Sequence, residues 1–166
     1  MRRVAQFLKV SEAQFREDWV KNWPGTSIPS EIVLPRRATK GSAGYDFFAP
    51  ADFAVEPGQT VLIPTGVRAR IDEGWVLQIY PRSGLGFKFG VRLMNTVGII
   101  DSDYFDAKNE GHIMIKLVNG SPDGRTLEVK KGEAFAQGLF VEYGICVDDD
   151  ADGVREGGFG STDLKR

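Results

Sequence analysis

The chain is poor in the residues that most enzymes use as nucleophiles and metal ligands. It has one cysteine, Cys146, and one histidine, His112, in 166 residues. A single cysteine cannot close an intrachain disulfide, and a single histidine leaves little material for a serine triad or a histidine zinc site. Cys146 is therefore expected to be an inert core residue and His112 a partly exposed strand residue. No N-terminal apolar segment and no long apolar run is present, so a cytoplasmic protein without a membrane partner is expected. Positive charge is not in excess either, with 21 Lys and Arg against 23 Asp and Glu. That balance excludes a broad cationic face for a nucleic-acid backbone, and leaves room for a small anion held by a few arginines. No repeat of fixed period occurs. Gly84, Leu85, Gly86 and Gly90 have the wrong spacing for a dinucleotide loop, and no helix is expected after them. What remains is 42% hydrophobic and 27% charged residues, enough for one domain with a real core and too little for two ordinary ones.

Residues 1–10 mix β-branched, aromatic and basic side chains and suit an edge strand. Ser11 followed by Gln14 makes a capping-box pattern, Phe15 and Trp19 lie four apart, and Pro24-Gly25 ends the run. The pattern predicts a short helix over about 11–22, with Phe15, Trp19 and Trp23 packing on the body. After Ile32 come short β-rich runs separated by Gly and Pro: YDFFAP, FAVEPG, TVLIPTGVRARI, WVLQIYPRS, VRLMNTVGII, HIMIKLVNG, TLEVKKG and AFAQGLFVEYGICV. Such punctuation without helical periods argues for an all-β sandwich, jelly roll or small barrel over residues 1–147. Residues 148–166 are glycine-rich with few large apolar side chains, and are expected to form a flexible C-terminal arm rather than a core.

Four stretches could carry chemistry. Residues 91–104, VRLMNTVGIIDSDY, read as an apolar strand that ends in Asp101, Ser102, Asp103 and Tyr104. Such an end could hold a general base beside a ring-binding surface, or could simply be a solvated acidic turn. Pro81-Arg82-Ser83-Gly84 combines a guanidinium, a hydroxyl and close backbone approach, which suits phosphate oxygens but equally a structural turn. In the tail, Arg155, Phe159, Gly160, Ser161 and Thr162 put an aromatic face among similar donors. Asp148, Asp150, Asp152 and Gly153 open like a calcium loop, but Phe159 stands where the closing glutamate belongs.

In order along the chain, these pieces resemble the five motifs of the trimeric dUTP pyrophosphatases (dUTPases). Ala43-Gly44-Tyr45-Asp46-Phe47 resembles the first motif, Pro81-Arg82-Ser83-Gly84-Leu85 the second, and residues 95–104 the third. Gly132-Glu133 with Ala136-Gln137 resembles the fourth, and Gly158-Phe159-Gly160-Ser161-Thr162 the fifth. The resemblance implies a β jelly roll, or distorted barrel, in a homotrimer with active sites at subunit interfaces. It also implies hydrolysis of dUTP to dUMP and pyrophosphate with Mg2+, limiting uracil in DNA and supplying dUMP for thymidylate synthesis.

By the same resemblance Asp101 is the base for the attacking water, and Arg82, Ser83, the Gly84 amide and Gln137 hold phosphates. Asn95, with the backbone of Ile99, Ile100 and Asp101 and that near Met114, reads uracil. Tyr104 packs on deoxyribose, Phe159 stacks on the base, and Arg155, Gly160, Ser161 and Thr162 belong to the phosphate-covering arm. Asp46 reaches the metal through a water. Some features depart from the family pattern. The connection after Tyr104 is longer, so Gly111 aligns with the family glycine and Glu110 has no assigned function. Ala134 replaces a common arginine, and one residue is missing between Arg155 and the last motif. A dCTP deaminase of the same fold and a non-catalytic binding module are the alternatives.

Overall fold

The computed structural model describes residues 2–153 and residue 155. The chain begins with β1 (Ala5–Lys9) and α1 (Glu12–Asn22), followed by β2 (Tyr45–Phe48), β3 (Phe53–Val55), β4 (Thr60–Pro64), β5 (Val67–Ile71) and β6 (Trp75–Pro81). After a second helix, α2 (Ser83–Phe89), come β7 (Arg92–Leu93), β8 (Gly98–Ile100), a 3₁₀ turn (Ser102–Asp106), β9 (Met114–Val118), β10 (Leu127–Val129) and β11 (Ala134–Glu142). Every strand pairing is antiparallel. The largest sheet runs β2-β11-β6-β8, a second runs β4-β9-β7, and β1-β5 and β3-β10 form two-stranded sheets. The result is an all-β fold of the jelly-roll type.

Period-two alternation is clearest in β3, β5 and β10. In β5, Val67, Ala69 and Ile71 are buried while Arg68 and Arg70 point away; in β10, Leu127 and Val129 flank the exposed Glu128. Their inward faces join Phe47, Ile63, Leu77, Ile115, Leu117 and Phe135 in one core. The helix forms where expected, with the Ser11 hydroxyl accepting from the Gln14 amide at 3.1 Å. Gln14 does not return the bond; its side chain instead donates to Asp18. The Ser11 amide is taken by Glu110 from the far side of the chain, at 2.7 Å. Phe15 and Trp19 are buried in a satellite cluster with Val10, and the Trp19 and Trp23 rings lie 4.6 Å apart.

The structure corrects four expectations. Residues 91–100 are not one strand but two short strands of different sheets joined by a hairpin turn at Met94–Val97, closed by a single Leu93–Thr96 bridge with Thr96 at φ 68°. A helix does follow Arg82: Gly86 N–H bonds back to the Arg82 carbonyl at 3.0 Å, and α2 ends at Gly90. This helix has no fully buried residue and leaves Phe87 exposed; only Leu85 and Phe89, one turn apart, pack partly on the core, too short a stripe to read as a helical period. His112 lies in the loop before β9 and is completely buried, not half-exposed on a strand. Cys146 follows the end of β11 and is exposed rather than in the core.

Candidate active site

The β7–β8 hairpin stands beside β9 and β6, and between them opens a pocket of about 450 Å³. The Met94 amide donates to the Lys116 carbonyl at 3.0 Å, and β8 pairs with β6 through Gly98 and Ile79, fixing both flanks of the hairpin tip. Gly98 lets the two strands pack closely, since a Cβ there would lie 3.1 Å from the Ile79 Cβ and would press on it. Asn95, Ile99, Ile100, Tyr104, Met114 and Arg155 all line the pocket. Its floor is apolar, from Leu62, Ile79, Ile113 and Ile115. An aromatic wall, an apolar floor and main-chain polar groups at a hairpin tip make a site for a small planar ring.

Asp101 follows β8 directly and starts the 3₁₀ turn, whose Tyr104 amide donates to the Asp101 carbonyl at 3.2 Å. Its carboxylate lines an adjoining, more open cleft that shares Ile99 and Arg155 with the pocket. Arg155 donates through Nη2 to Asp101 and through Nε to Asp103 Oδ1, the latter at 2.7 Å. Its guanidinium lies 5.9 Å from the Tyr104 ring centre. Asp103 is thus a site residue that sequence reasoning left without a role. The Asp-x-Asp spacing around one turn was its only local signal.

Tyr104 is almost fully buried, and its hydroxyl donates to the His112 carbonyl at 2.9 Å while accepting from Asn109 Nδ2 at 2.8 Å. Burial pushes its phenol pKa above the ordinary value, with the Asn109 hydrogen bond opposing, so the hydroxyl stays protonated and neutral.

The phosphate-type residues form a second cluster. Asp46 on β2 and Gln137 on β11 are register partners. Arg82 Nε sits 3.5 Å from Asp46 Oδ1, and Gln137 Nε2 donates to the Pro81 carbonyl at 3.1 Å. Gly44 gives Gln137 its room, because a Cβ there would come within 2.8 Å of Gln137 Oε1. Ser83 and Gly84 open α2, where first-turn amides have no intrahelical acceptor. None of Asp46, Arg82, Ser83, Gly84 or Gln137 lines the pocket that holds Tyr104. Phe159, Gly160, Ser161 and Thr162 lie outside the described residues.

Among the described residues no three His, Cys, Asp or Glu side chains converge as metal ligands, the aspartates of the calcium-like stretch included. Asp46 stands as a single carboxylate beside Arg82. This donor set fits a divalent cation carried by a polyphosphate and its waters, and not a protein-built cage.

A jelly roll with a ring-sized pocket, an adjoining carboxylate and a separate set of anion donors defines the class of all-β nucleotide pyrophosphohydrolases. Residues 30–163 match the family model described as dUTPase. The deoxyuridine 5'-triphosphate nucleotidohydrolase of Escherichia coli O9:H4 (strain HS) is 44% identical over 143 residues, which are 81% of this chain and 90% of that one. The crystal structure of dUTPase from Streptococcus mutans aligns with a TM-score of 0.63 at 31% identity, covering 86% of this chain and 98% of that one. The dUTPase of Staphylococcus aureus phage phi11, a structure concerned with coordination of a structural Mg(II) ion, aligns with a TM-score of 0.63 over 91% of this chain and 98% of that one. At 20% identity the phage protein speaks for the fold alone. The chain belongs to the dUTPase family.

Proposed function

We propose that this chain hydrolyses dUTP to dUMP and pyrophosphate, so keeping uracil out of DNA and supplying dUMP for thymidylate synthesis. The observation that carries the proposal is the convergence of Asn95, Ile99, Ile100, Tyr104 and Met114 on one pocket, with Asp101 in the cleft beside it. The uracil edge pairs with Asn95 and with main-chain groups of the hairpin, in a space too narrow for the thymine methyl. Cytosine is rejected because its amino group would leave a donor unpaired, at a cost of about 1–3 kcal/mol. Tyr104 packs on the deoxyribose and excludes a 2'-hydroxyl. Asp101 orients and deprotonates the water that attacks the α-phosphorus.

Arg82, Ser83, Gly84 and Gln137 take the phosphates. Because they lie apart from the nucleoside pocket in the single chain, they serve a site completed by another copy, in a homotrimer. Arg155 and the arm of residues 148–166, with Phe159 over the base and Gly160, Ser161 and Thr162 toward the phosphates, close it against water. Asp46 would hold, through a water, an Mg2+ carried by the triphosphate, which would supply neutralisation of the phosphate charge. No helix among the described residues is long and apolar enough to cross a membrane, and we place the activity in the cytoplasm without a nucleic-acid partner.

The test is an initial-rate comparison of dUTP, dTTP, dCTP and UTP, with and without Mg2+, following pyrophosphate and ammonia separately. Pyrophosphate from dUTP should dominate and depend on Mg2+. Ammonia released from dCTP would replace the proposal with deamination.

A further inference from the structure

The family match begins at residue 30 and so leaves α1 outside it, yet α1 is tied at one end to a pocket-lining residue and at the other to the loop between Tyr104 and β9. Past its C-terminal end, Trp23 Nε1 donates to the carbonyl of Leu62, a pocket-lining residue, at 2.7 Å. At its start, the Ser11 amide and hydroxyl donate to the two oxygens of Glu110 at 2.7 and 2.6 Å. Between these anchors the helix reaches the nucleoside site through buried polar groups. Asp18 Oδ2 lies 2.6 Å from His112 Nδ1. The other ring nitrogen, Nε2, accepts from the Gly66 amide at 2.8 Å. An acceptor nitrogen carries no hydrogen, so the ring is neutral and its single proton sits on Nδ1, donated to Asp18. The carbonyl of the same residue receives the Tyr104 hydroxyl at 2.9 Å.

We propose that α1 is a strut for the sugar side of the pocket, with Asp18 and His112 as positioning residues that hold Tyr104 and so set the preference for 2'-deoxynucleotides. The proposal rests on the dUTPase activity argued above. His112 is fully buried and Tyr104 nearly so, so a partner lost there is not simply replaced by bulk solvent. Without the Asp18 carboxylate the Nδ1 hydrogen has no acceptor, and the ring gains by rotating away. Rotation releases the Gly66 amide and moves the backbone that carries the His112 carbonyl. The Tyr104 ring then loosens where a 2'-hydroxyl would have to fit. A helix that only covered the core through Phe15 and Trp19 would need none of these polar links.

Steady-state kinetics of the full chain on dUTP and UTP tests the strut. In Asp18→Ala the ratio of kcat/KM for dUTP over UTP should fall about tenfold, the worth of one buried hydrogen bond. Asp18→Asn keeps an oxygen for the Nδ1 hydrogen, and its ratio should stay within about twofold of wild type. A folded Asp18→Ala with an unchanged ratio overturns the proposal, as does an Asn variant that loses as much as the Ala variant. Should Asp18→Ala not fold, Glu110→Gly is the second variant. Glu110 has φ 57°, which glycine adopts freely, so what is lost is the anchor to Ser11 and a partly exposed ion pair with Arg68 at 3.9 Å. Its ratio should fall about threefold, and no fall overturns the proposal. A wild type inert toward dUTP overturns this proposal and the dUTPase activity together, whereas an active wild type with unmoved variants overturns this one alone.

Discussion

Asp101 and Asp103 share one guanidinium, and the two carboxylates differ in what they can do with it. Asp103 binds the Nε edge at 2.7 Å and anchors Arg155, while Asp101 binds the Nη2 end beside the pocket. Moving that end onto a phosphate would leave Asp101 free to take a proton from water without releasing the anchor at Asp103. In Asp101→Asn the amide still packs in the turn but accepts no proton. Turnover of dUTP should drop by roughly 100- to 10,000-fold, while the Kd of a non-hydrolysable dUTP analogue, measured by calorimetry, stays within about threefold. Wild-type turnover by this variant would remove Asp101 from the chemistry. Asp101 and Tyr104 were legible as candidates because they lie three residues apart in the sequence and carry recognisable chemistry. Asp103 was not, because its meaning depends on an arginine 52 residues away. His112 was misjudged for the same reason: its partner Asp18 is 94 residues distant, on the element that looked purely structural.

The hairpin and the loop from the 3₁₀ turn to β9 are the elements that give the pocket its shape. Gly111 is the tightest point of that loop. It has φ +66°, and a Cβ on it would stand 2.5 Å from the Tyr104 carbonyl oxygen and 2.9 Å from the Phe105 Cα. Those are backbone atoms of the turn that carries Tyr104, and they cannot swing aside as a side chain would. Gly124 offers the control, with φ +70° and nothing within 4 Å. Gly124→Ala should cost about 1 kcal/mol from backbone conformation alone. Gly111→Ala should cost at least about twice that, and should lower kcat/KM for dUTP in protein that is still folded. Denaturant midpoints and rates on the same samples decide; equal destabilisation by the two substitutions would mean that the loop yields freely. At this scale the strands were readable from alternation and turn residues. Sequence gave no sign of α2, whose glycines and exposed faces hide a helical period, nor of the chain reversal that splits residues 91–100.

For the whole molecule, the separation of the two clusters is the fact to explain. β6 connects them: its middle pairs with β8 under the nucleoside pocket, and its end delivers Arg82 beside Asp46. If each active site takes its nucleoside pocket and base from one copy and its phosphate donors from another, two crippled chains can repair each other. Asp101→Asn lacks the base and Arg82→Ala lacks a phosphate donor, so each homotrimer should be close to inactive. Co-expressed with different tags and purified through both, the chains form mixed trimers. In random assembly a site is whole when its pocket comes from an Arg82→Ala chain and its donors from an Asp101→Asn chain, which happens for about a quarter of sites. Purification through both tags removes the pure trimers and raises that share to about a third. dUTP hydrolysis near that fraction of wild type is expected. If both clusters belonged to one chain's own site, every site in every mixture would still lack one group, and the doubly purified trimers would be as inactive as their parents.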